Sequence, residues 1–170
     1  MNRAFRKHSI RWFVLMALQI LIFNQFQVNG YINPYIYIFG LILLPPRLNR
    51  VQGLLIGFVS GAIIDIFTFD PGLHTASAVF LMYVRPAILR LFTARAQDEI
   101  EEVSPRIIGL SRFIVYSGLL ILSHHIFLFL LENFSVYGLH RVLGRTILSG
   151  IFTLIIFLLL YFLIQDRNKR

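Results

Sequence analysis

Glycine recurs at every fourth position through one apolar stretch of the chain, at Gly53, Gly57 and Gly61, and Asp65 continues the same spacing. Residues four apart on a helix lie one above the other on one face. These positions therefore predict a stripe without side chains that ends in a carboxyl group. A second helix can approach such a stripe closely.

A turn and a second apolar run follow this stripe. Pro71 and Gly72 favour a turn, and the run that follows contains His74 near its start and ends at Arg85 and Pro86. The stretch therefore predicts a helical hairpin with a helix-packing face of glycines. That face packs either within the chain or against a partner.

The composition places this hairpin in a lipid bilayer. The chain has 170 residues, of which 57% are hydrophobic and 14% charged, and its mean hydropathy is +0.73. Soluble domains of this size are far less apolar. Because the apolar runs have the length of a bilayer crossing, the sequence predicts an all-α integral membrane protein.

The apolar runs predict about six transmembrane helices in one domain, 1–170. The spans are expected at about 12–28, 33–45, 51–68, 73–90, 107–131 and 146–164, with an amphipathic cytoplasmic segment at about 88–105. The second span is shorter than a hydrocarbon core of about 30 Å. It must borrow length from its neighbours, thin the bilayer locally, or stop part-way.

The basic residues predict the orientation. With both termini in the cytoplasm, fourteen of the sixteen lysines and arginines lie inside, and only Arg141 and Arg145 lie outside. Cytoplasmic loops carry such an excess of basic residues. Because the charges flank apolar segments, the formal net charge of +8 indicates membrane orientation, and no nucleic-acid partner is predicted.

Asp65 is the strongest candidate for chemistry, because a carboxyl group within a span is usually retained for a partner, an ion path or a structural bond. In this topology it lies toward the outer leaflet, at the level of other polar residues: His74, His124, His125, Glu132, His140, Arg141 and Arg145. Two readings stay open. The cluster binds a substrate or relays protons, or Asp65 caps a neighbouring helix while the histidines lie at the membrane interface.

Catalytic, metal and cofactor sites have little support in the sequence. Cysteine is absent, and no phosphate-binding loop, dinucleotide motif or zinc-protease motif occurs. The adjacent pair His124 and His125 points to different sides of a helix, so one metal ion is not expected to bind both. We therefore expect no enzyme activity, no metal and no cofactor.

The motif from Gly53 to Asp65, followed by Pro71-Gly72-Leu73-His74 and by Tyr83-Val84-Arg85-Pro86, resembles the rod shape-determining protein MreD family. The resemblance implies a bacterial inner-membrane component of the cell-wall elongation machinery without catalytic activity. It further implies binding to the bitopic protein MreC and cooperation with peptidoglycan synthases and the MreB filament. The fold is expected to be similar to the substrate-binding subunits of energy-coupling-factor vitamin transporters.

Two other classes of function remain as alternatives. A small-molecule binding subunit of a transporter would use the outer polar cluster as its substrate site. An intramembrane enzyme would require Asp65 and a histidine to converge on one cavity.

Overall fold

The computed structural model describes residues 3–25, 32–93, 103–133 and 138–167. Within these ranges the chain is helical and contains no strand. The helices are α1 (Arg3–Leu21), α2 (Ile38–Ile42), α3 (Arg50–Thr68), α4 (Leu73–Thr93), α5 (Pro105–Ile108), α6 (Leu110–Asn133) and α7 (Leu139–Arg167), and a short 3-10 turn (Phe23–Gln25) follows α1.

Four of the described helices, α3, α4, α6 and α7, are long and apolar enough to cross a membrane. Large apolar side chains cover their outer surfaces, including Phe58, Ile66, Ile155 and Leu159, which are each at least half exposed. Such a surface suits contact with lipid rather than water. The chain is therefore an all-α, multi-pass membrane protein.

The helices pack in chain order, with α3 against α4, α4 against α6 and α6 against α7, while α1 contacts α2 and α3. Aromatic side chains fill the interior between them. The rings of Phe39 and Phe157 lie 4.4 Å apart, and the ring of Phe113 lies 5.6 Å from that of Phe157. These contacts bring α2, α6 and α7 together around the chain segment that contains α2.

That segment, residues 33–44, is here named the central segment. It does not form the helix that the sequence predicts at 33–45, because only Ile38–Ile42 is helical. The side chains from Tyr35 to Leu44 are nevertheless buried, with 8% or less of their surface exposed. Non-helical backbone at membrane depth requires burial in protein and a hydrogen-bond partner for each polar group.

Side chains from α1 and α7 bind the N–H groups of the central segment. Gln19 Oε1 accepts hydrogen bonds from the N–H groups of Ile36, at 2.6 Å, and Tyr37, at 3.3 Å. Ser149 and Thr153, one turn apart on α7, accept from the N–H groups of Asn33 and Tyr35 at 3.2 and 3.3 Å. These contacts explain why the segment has no need of a helical hydrogen-bond ladder.

Three further side chains donate to the carbonyl groups near the end of the central segment. Arg11 Nη2 lies 2.6 Å from Leu43 O, and the Tyr116 hydroxyl lies 3.3 Å from Ile42 O. Arg85 donates to Ile42 O and also to Leu44 O. The central segment is thus a buried, mostly irregular chain that the surrounding helices hold from both sides.

One predicted helix end is wrong. Pro86 was expected to close the hairpin, but it lies inside α4, which continues to Thr93. Residues 88–93 of the predicted amphipathic segment therefore belong to α4, and residues 94–102 lie outside the described residues. A proline inside a helix removes one backbone hydrogen bond without ending the helix when neighbouring packing supports it.

The later spans also differ from the prediction at their starts. Gly109, with a φ of 85°, separates the short α5 from α6, so the helix at 107–131 is interrupted near its beginning. Helix α7 begins at Leu139, well before the predicted position 146. His140, Arg141 and Arg145 consequently lie on a helix rather than in a loop.

Candidate functional site

The glycine stripe lies against α4 of the same chain, and its closest approach is at Gly61. A methyl group at Gly61 would meet His74 O at 2.5 Å, and the Thr75 Cα would lie closer still. Real side chains do not tolerate such separations, so the two backbones are in direct contact. This approach is possible only because glycine has no side chain.

The same contact continues along α4 at Gly57 and Gly53. A methyl group at Gly57 would lie 2.9 Å from both Ala78 O and Met82 Cγ, and one at Gly53 would lie 3.0 Å from Met82 Cε. All three glycines are buried. The helix-packing face therefore packs within the chain, which answers the question that the sequence leaves open.

The carboxylate of Asp65 binds the start of α4. Oδ1 accepts a hydrogen bond from the N–H of His74 at 2.8 Å, and Oδ2 accepts from the N–H groups of Gly72 and Thr75 at 3.1 and 3.0 Å. The Thr75 hydroxyl donates to the same oxygen at 2.5 Å. A carboxylate in this position satisfies the free N–H groups of a helix start and interacts favourably with the helix dipole.

The turn between α3 and α4 positions these N–H groups within hydrogen-bond distance of Asp65. Phe69 ends α3 with a left-handed backbone, at a φ of 60°, and Gly72 has a φ of 89°. Pro71 lies between them on the exposed surface. The predicted turn at Pro71 and Gly72 is confirmed, and the reading in which Asp65 caps a neighbouring helix is correct.

Five aromatic rings form the second part of the site, here named the ring cluster: Tyr35, Tyr37, His74, His124 and His125. The Tyr35 ring is 4.9 Å from that of His74 and 5.3 Å from that of His125. The Tyr37 hydroxyl lies 2.7 Å from His124 Nε2 and 3.5 Å from His74 Nδ1. These three histidines do not lie on the surface, as expected for residues at the membrane interface, but are buried in the bundle.

The two adjacent histidines have different partners, as their neighbouring positions on α6 predict. His125 Nδ1 lies 2.8 Å from Ile121 O and must carry a proton to donate there, so His125 Nε2 accepts from Thr153 Oγ1 at 3.2 Å. His124 turns toward Tyr37, and its Nδ1 is buried without a hydrogen-bond partner. No three His, Asp or Glu side chains within the described ranges are placed to hold a metal ion.

The other predicted polar residues lie near the surface. Arg145 forms an ion pair with Glu132 at 2.7 Å, and its guanidinium group lies 4.3 Å from the centre of the Phe129 ring. His140 and Arg141 are exposed. The sequence predicts these polar residues at the same level as Asp65. The structure brings three of them, His74, His124 and His125, together in the ring cluster. Glu132, His140, Arg141 and Arg145 lie outside it.

Arg85 has a role that the sequence does not indicate. It was placed at the end of the hairpin, but only 3% of its surface is exposed, and it donates to carbonyl groups of the central segment. Gln19, Ser149 and Thr153 were missed as well. The available signal was a polar residue inside an apolar run, with Ser149 and Thr153 spaced four apart on one helix face.

Comparison with protein-family models, with curated proteins and with solved structures finds no match for this chain. The resemblance to the MreD family consequently rests on the motif residues alone and stays a prediction.

Proposed function

We propose that this chain is a non-enzymatic scaffold of the bacterial cell-wall elongation complex in the inner membrane. In this role it binds an MreC-type bitopic protein and acts with peptidoglycan synthases and the MreB filament. The support comes from the motif that runs from Gly53 to Asp65 and continues through Pro71-Gly72-Leu73-His74, together with the structural use that the fold makes of it.

The saturation of the Asp65 carboxylate is the observation that carries this proposal. Among the side chains that the structure describes, Asp65 is the only buried carboxylate. A carboxylate offers about four acceptor positions, and Asp65 already accepts from the N–H groups of Gly72, His74 and Thr75 and from the Thr75 hydroxyl. Little acceptor capacity remains for a substrate, a proton or a cation. The motif therefore favours a rigid structural hairpin over a catalytic or ion-conducting one.

We propose further that the chain crosses the membrane six times, with both termini in the cytoplasm. In this arrangement α1 and the central segment supply the first two crossings, ahead of α3, α4, α6 and α7. The support is the distribution of the basic residues, fourteen of sixteen of which then lie inside. A fold similar to the substrate-binding subunits of energy-coupling-factor transporters belongs to the same proposal.

Depletion of the protein in a rod-shaped cell that carries this gene tests the scaffold function. Cells depleted of the chain should become round, and a plasmid copy of the wild-type chain should restore the rod shape. Fluorescent labelling of nascent peptidoglycan should lose its side-wall pattern at the same time. Normal rod shape and normal side-wall labelling after complete depletion contradict the proposal.

A small-molecule binding subunit of a transporter is the second candidate, and one observation favours it. His124 Nδ1 is fully buried without a partner in the ring cluster, and a buried polar atom of this kind often faces a ligand or an ordered water. Native mass spectrometry of the purified chain separates the two functions. A stoichiometric small molecule that disappears in Tyr37→Phe, which removes the hydroxyl beside His124, would favour the transporter; its absence in the wild type favours the scaffold.

A further inference from the structure

A second polar site lies at the opposite end of the α3–α4 hairpin from Asp65. It is a cavity of about 310 Å³, here named the basic pocket, between the start of α3 and the second half of α4. Its polar lining comes from Asn49, Arg50, Tyr83, Arg85 and Arg90. No acidic residue is among its lining residues, so three guanidinium groups meet there without a carboxylate.

The arginines of the basic pocket are not neutralised within the part of the chain that the structure describes. Arg85 is buried, with 3% of its surface exposed, and its Nε and Nη2 donate to main-chain carbonyl groups rather than to a carboxylate. Arg50 lies over the face of Tyr83, 5.0 Å from the ring centre. None of Arg50, Arg85 and Arg90 pairs with a described carboxylate. A buried guanidinium group without a counter-charge is costly, so the pocket favours an anion.

The start of α3 adds to this positive potential. Asn49 caps the 19-residue helix by accepting a hydrogen bond from the N–H of Val51 at 3.2 Å. The positive end of the helix dipole therefore lies at the edge of the basic pocket. Guanidinium groups at a helix start are the usual surroundings of a bound phosphate group.

An apolar groove lies next to the basic pocket. It is a cavity of about 540 Å³ between α1 and α3, and its lining includes Trp12, Phe13, Leu55 and Val59. Leu48 lines both cavities, so they are separated by no more than one side chain. Helix α3 begins at Arg50, and at 1.5 Å per residue the stretch from Arg50 to Val59 extends about 14 Å, which is a little under half of a hydrocarbon core of roughly 30 Å.

We propose that the basic pocket and the apolar groove together bind one anionic phospholipid. Its phosphate group lies among Arg50, Arg85 and Arg90, and one of its acyl chains follows the groove past Leu48 toward the middle of the membrane. A free phosphate or an acidic protein segment could occupy the basic pocket, but neither has an acyl chain that would fill the apolar groove. The proposal does not depend on the scaffold function, since it concerns a different end of the molecule.

Fluorescence of the single tryptophan tests this proposal directly. Trp12 is the only tryptophan of the chain, and it lines the groove, held by a hydrogen bond of 2.8 Å from Nε1 to Ser60 Oγ. The full chain is placed in vesicles of phosphatidylcholine, and lipids with brominated acyl chains, which quench tryptophan, are titrated in. Brominated phosphatidylglycerol should quench Trp12 at a lower mole fraction than brominated phosphatidylcholine does.

Variants assign this preference to the basic pocket. Arg50→Gln and Arg90→Gln should each lower the preference for phosphatidylglycerol about fivefold, as expected for removing one basic group near an anionic headgroup. The matched controls are the single variants Arg47→Gln and Arg106→Gln, each of which removes one charge at an exposed position outside the pocket and should keep the preference. Circular dichroism confirms that each variant is folded, and Arg85 stays unchanged because it holds the central segment.

Three results would overturn the proposal. Equal quenching by the two brominated lipids in the wild type would mean that the headgroup is not recognised, and would leave the basic pocket to an acidic protein segment. An equal loss of preference in the control variants would assign it to surface charge in general. Removal of the preference by millimolar inorganic phosphate at constant ionic strength would assign the pocket to a soluble phosphate.

Discussion

The N–H of His74 donates a hydrogen bond of 2.8 Å to the carboxylate of Asp65, and this bond joins the last turn of α3 to the first turn of α4. One turn earlier on α3, Gly61 lies directly beneath the carbonyl group of the same His74. Gly61 and Asp65, four residues apart on the same face of α3, therefore act together at one contact. The glycine allows the backbones to meet, and the meeting brings the N–H groups of α4 within reach of the carboxylate.

A side chain at Gly61 should separate the two helices. In Gly61→Ala the new methyl group would meet His74 O at 2.5 Å, and main-chain atoms cannot move aside as a flexible side chain can. We expect the free energy of unfolding in detergent to fall by roughly 1 to 3 kcal/mol. Gly118→Ala on α6 is the matched control, because its methyl group would meet only Leu154 Cδ2 at 3.8 Å. Equal stability of the two variants would contradict the close contact.

Replacement of Asp65 by asparagine should destabilise the hairpin, although the two side chains have the same shape. The amide NH2 group must replace either Oδ1, which accepts from the N–H of His74, or Oδ2, which accepts from the N–H groups of Gly72 and Thr75, so at least one N–H group loses its acceptor. We expect a loss of roughly 1 to 3 kcal/mol for Asp65→Asn and about 1 kcal/mol for Thr75→Val.

Both losses should be measured by denaturant unfolding in the same detergent. Because the Thr75 hydroxyl, which Thr75→Val removes, binds the carboxylate that Asp65→Asn changes, the double variant should lose less than the sum of the two single losses. Strictly additive losses would show that the hydroxyl group of Thr75 does not bind the carboxylate.

Gln19 should be essential for the central segment. In Gln19→Leu the N–H groups of Ile36 and Tyr37 lose their acceptor inside the protein, and we expect a loss of roughly 1 to 3 kcal/mol or failure to accumulate. Gln52→Leu makes the same chemical change at an exposed position of α3 and should leave both stability and protein level unchanged. Similar protein levels for the two variants in membranes would contradict the account of the central segment.

Reporter fusions test the proposed orientation. A reporter that is active only outside the cytoplasm should be inactive when fused after Arg170 and active when inserted at Gly72, in the turn between α3 and α4. The physical basis is the distribution of lysine and arginine, fourteen of sixteen of which lie inside in the proposed topology. Activity of the fusion after Arg170 would place the C-terminus outside the cytoplasm and contradict the proposed orientation.

The hairpin can be predicted from the sequence because the residues that determine it lie close together in the chain. Glycine and aspartate at a constant spacing of four, followed by a proline-glycine turn, determine both the face and the direction of the next helix. The capping role of Asp65 followed as one of two readings, since its partners lie only seven to ten positions later in the chain.

The helix predicted for the central segment is wrong because the residues that determine its conformation lie far away in the chain. An apolar run between Pro34 and Pro45 resembles a short helix, whereas its actual conformation depends on acceptors at Ser149 and Thr153, 116 and 118 positions away. No periodic pattern within the run itself indicates that Ser149 and Thr153 will be its hydrogen-bond acceptors. For the same reason the sequence does not predict the position of Arg85 inside the bundle, because its acceptors lie on this irregular chain.

Site-specific photo-crosslinking in living cells tests the proposed scaffold most directly. A photoreactive amino acid is placed at Phe58, Val115 or Ile155, which are about half exposed on α3, α6 and α7, and at the fully buried Ile64 as the control. The account predicts a crosslink to a bitopic membrane protein of the cell-wall machinery from at least one exposed position and none from Ile64. Crosslinks to lipid alone from all three exposed positions, in cells where the chain maintains rod shape, would contradict it.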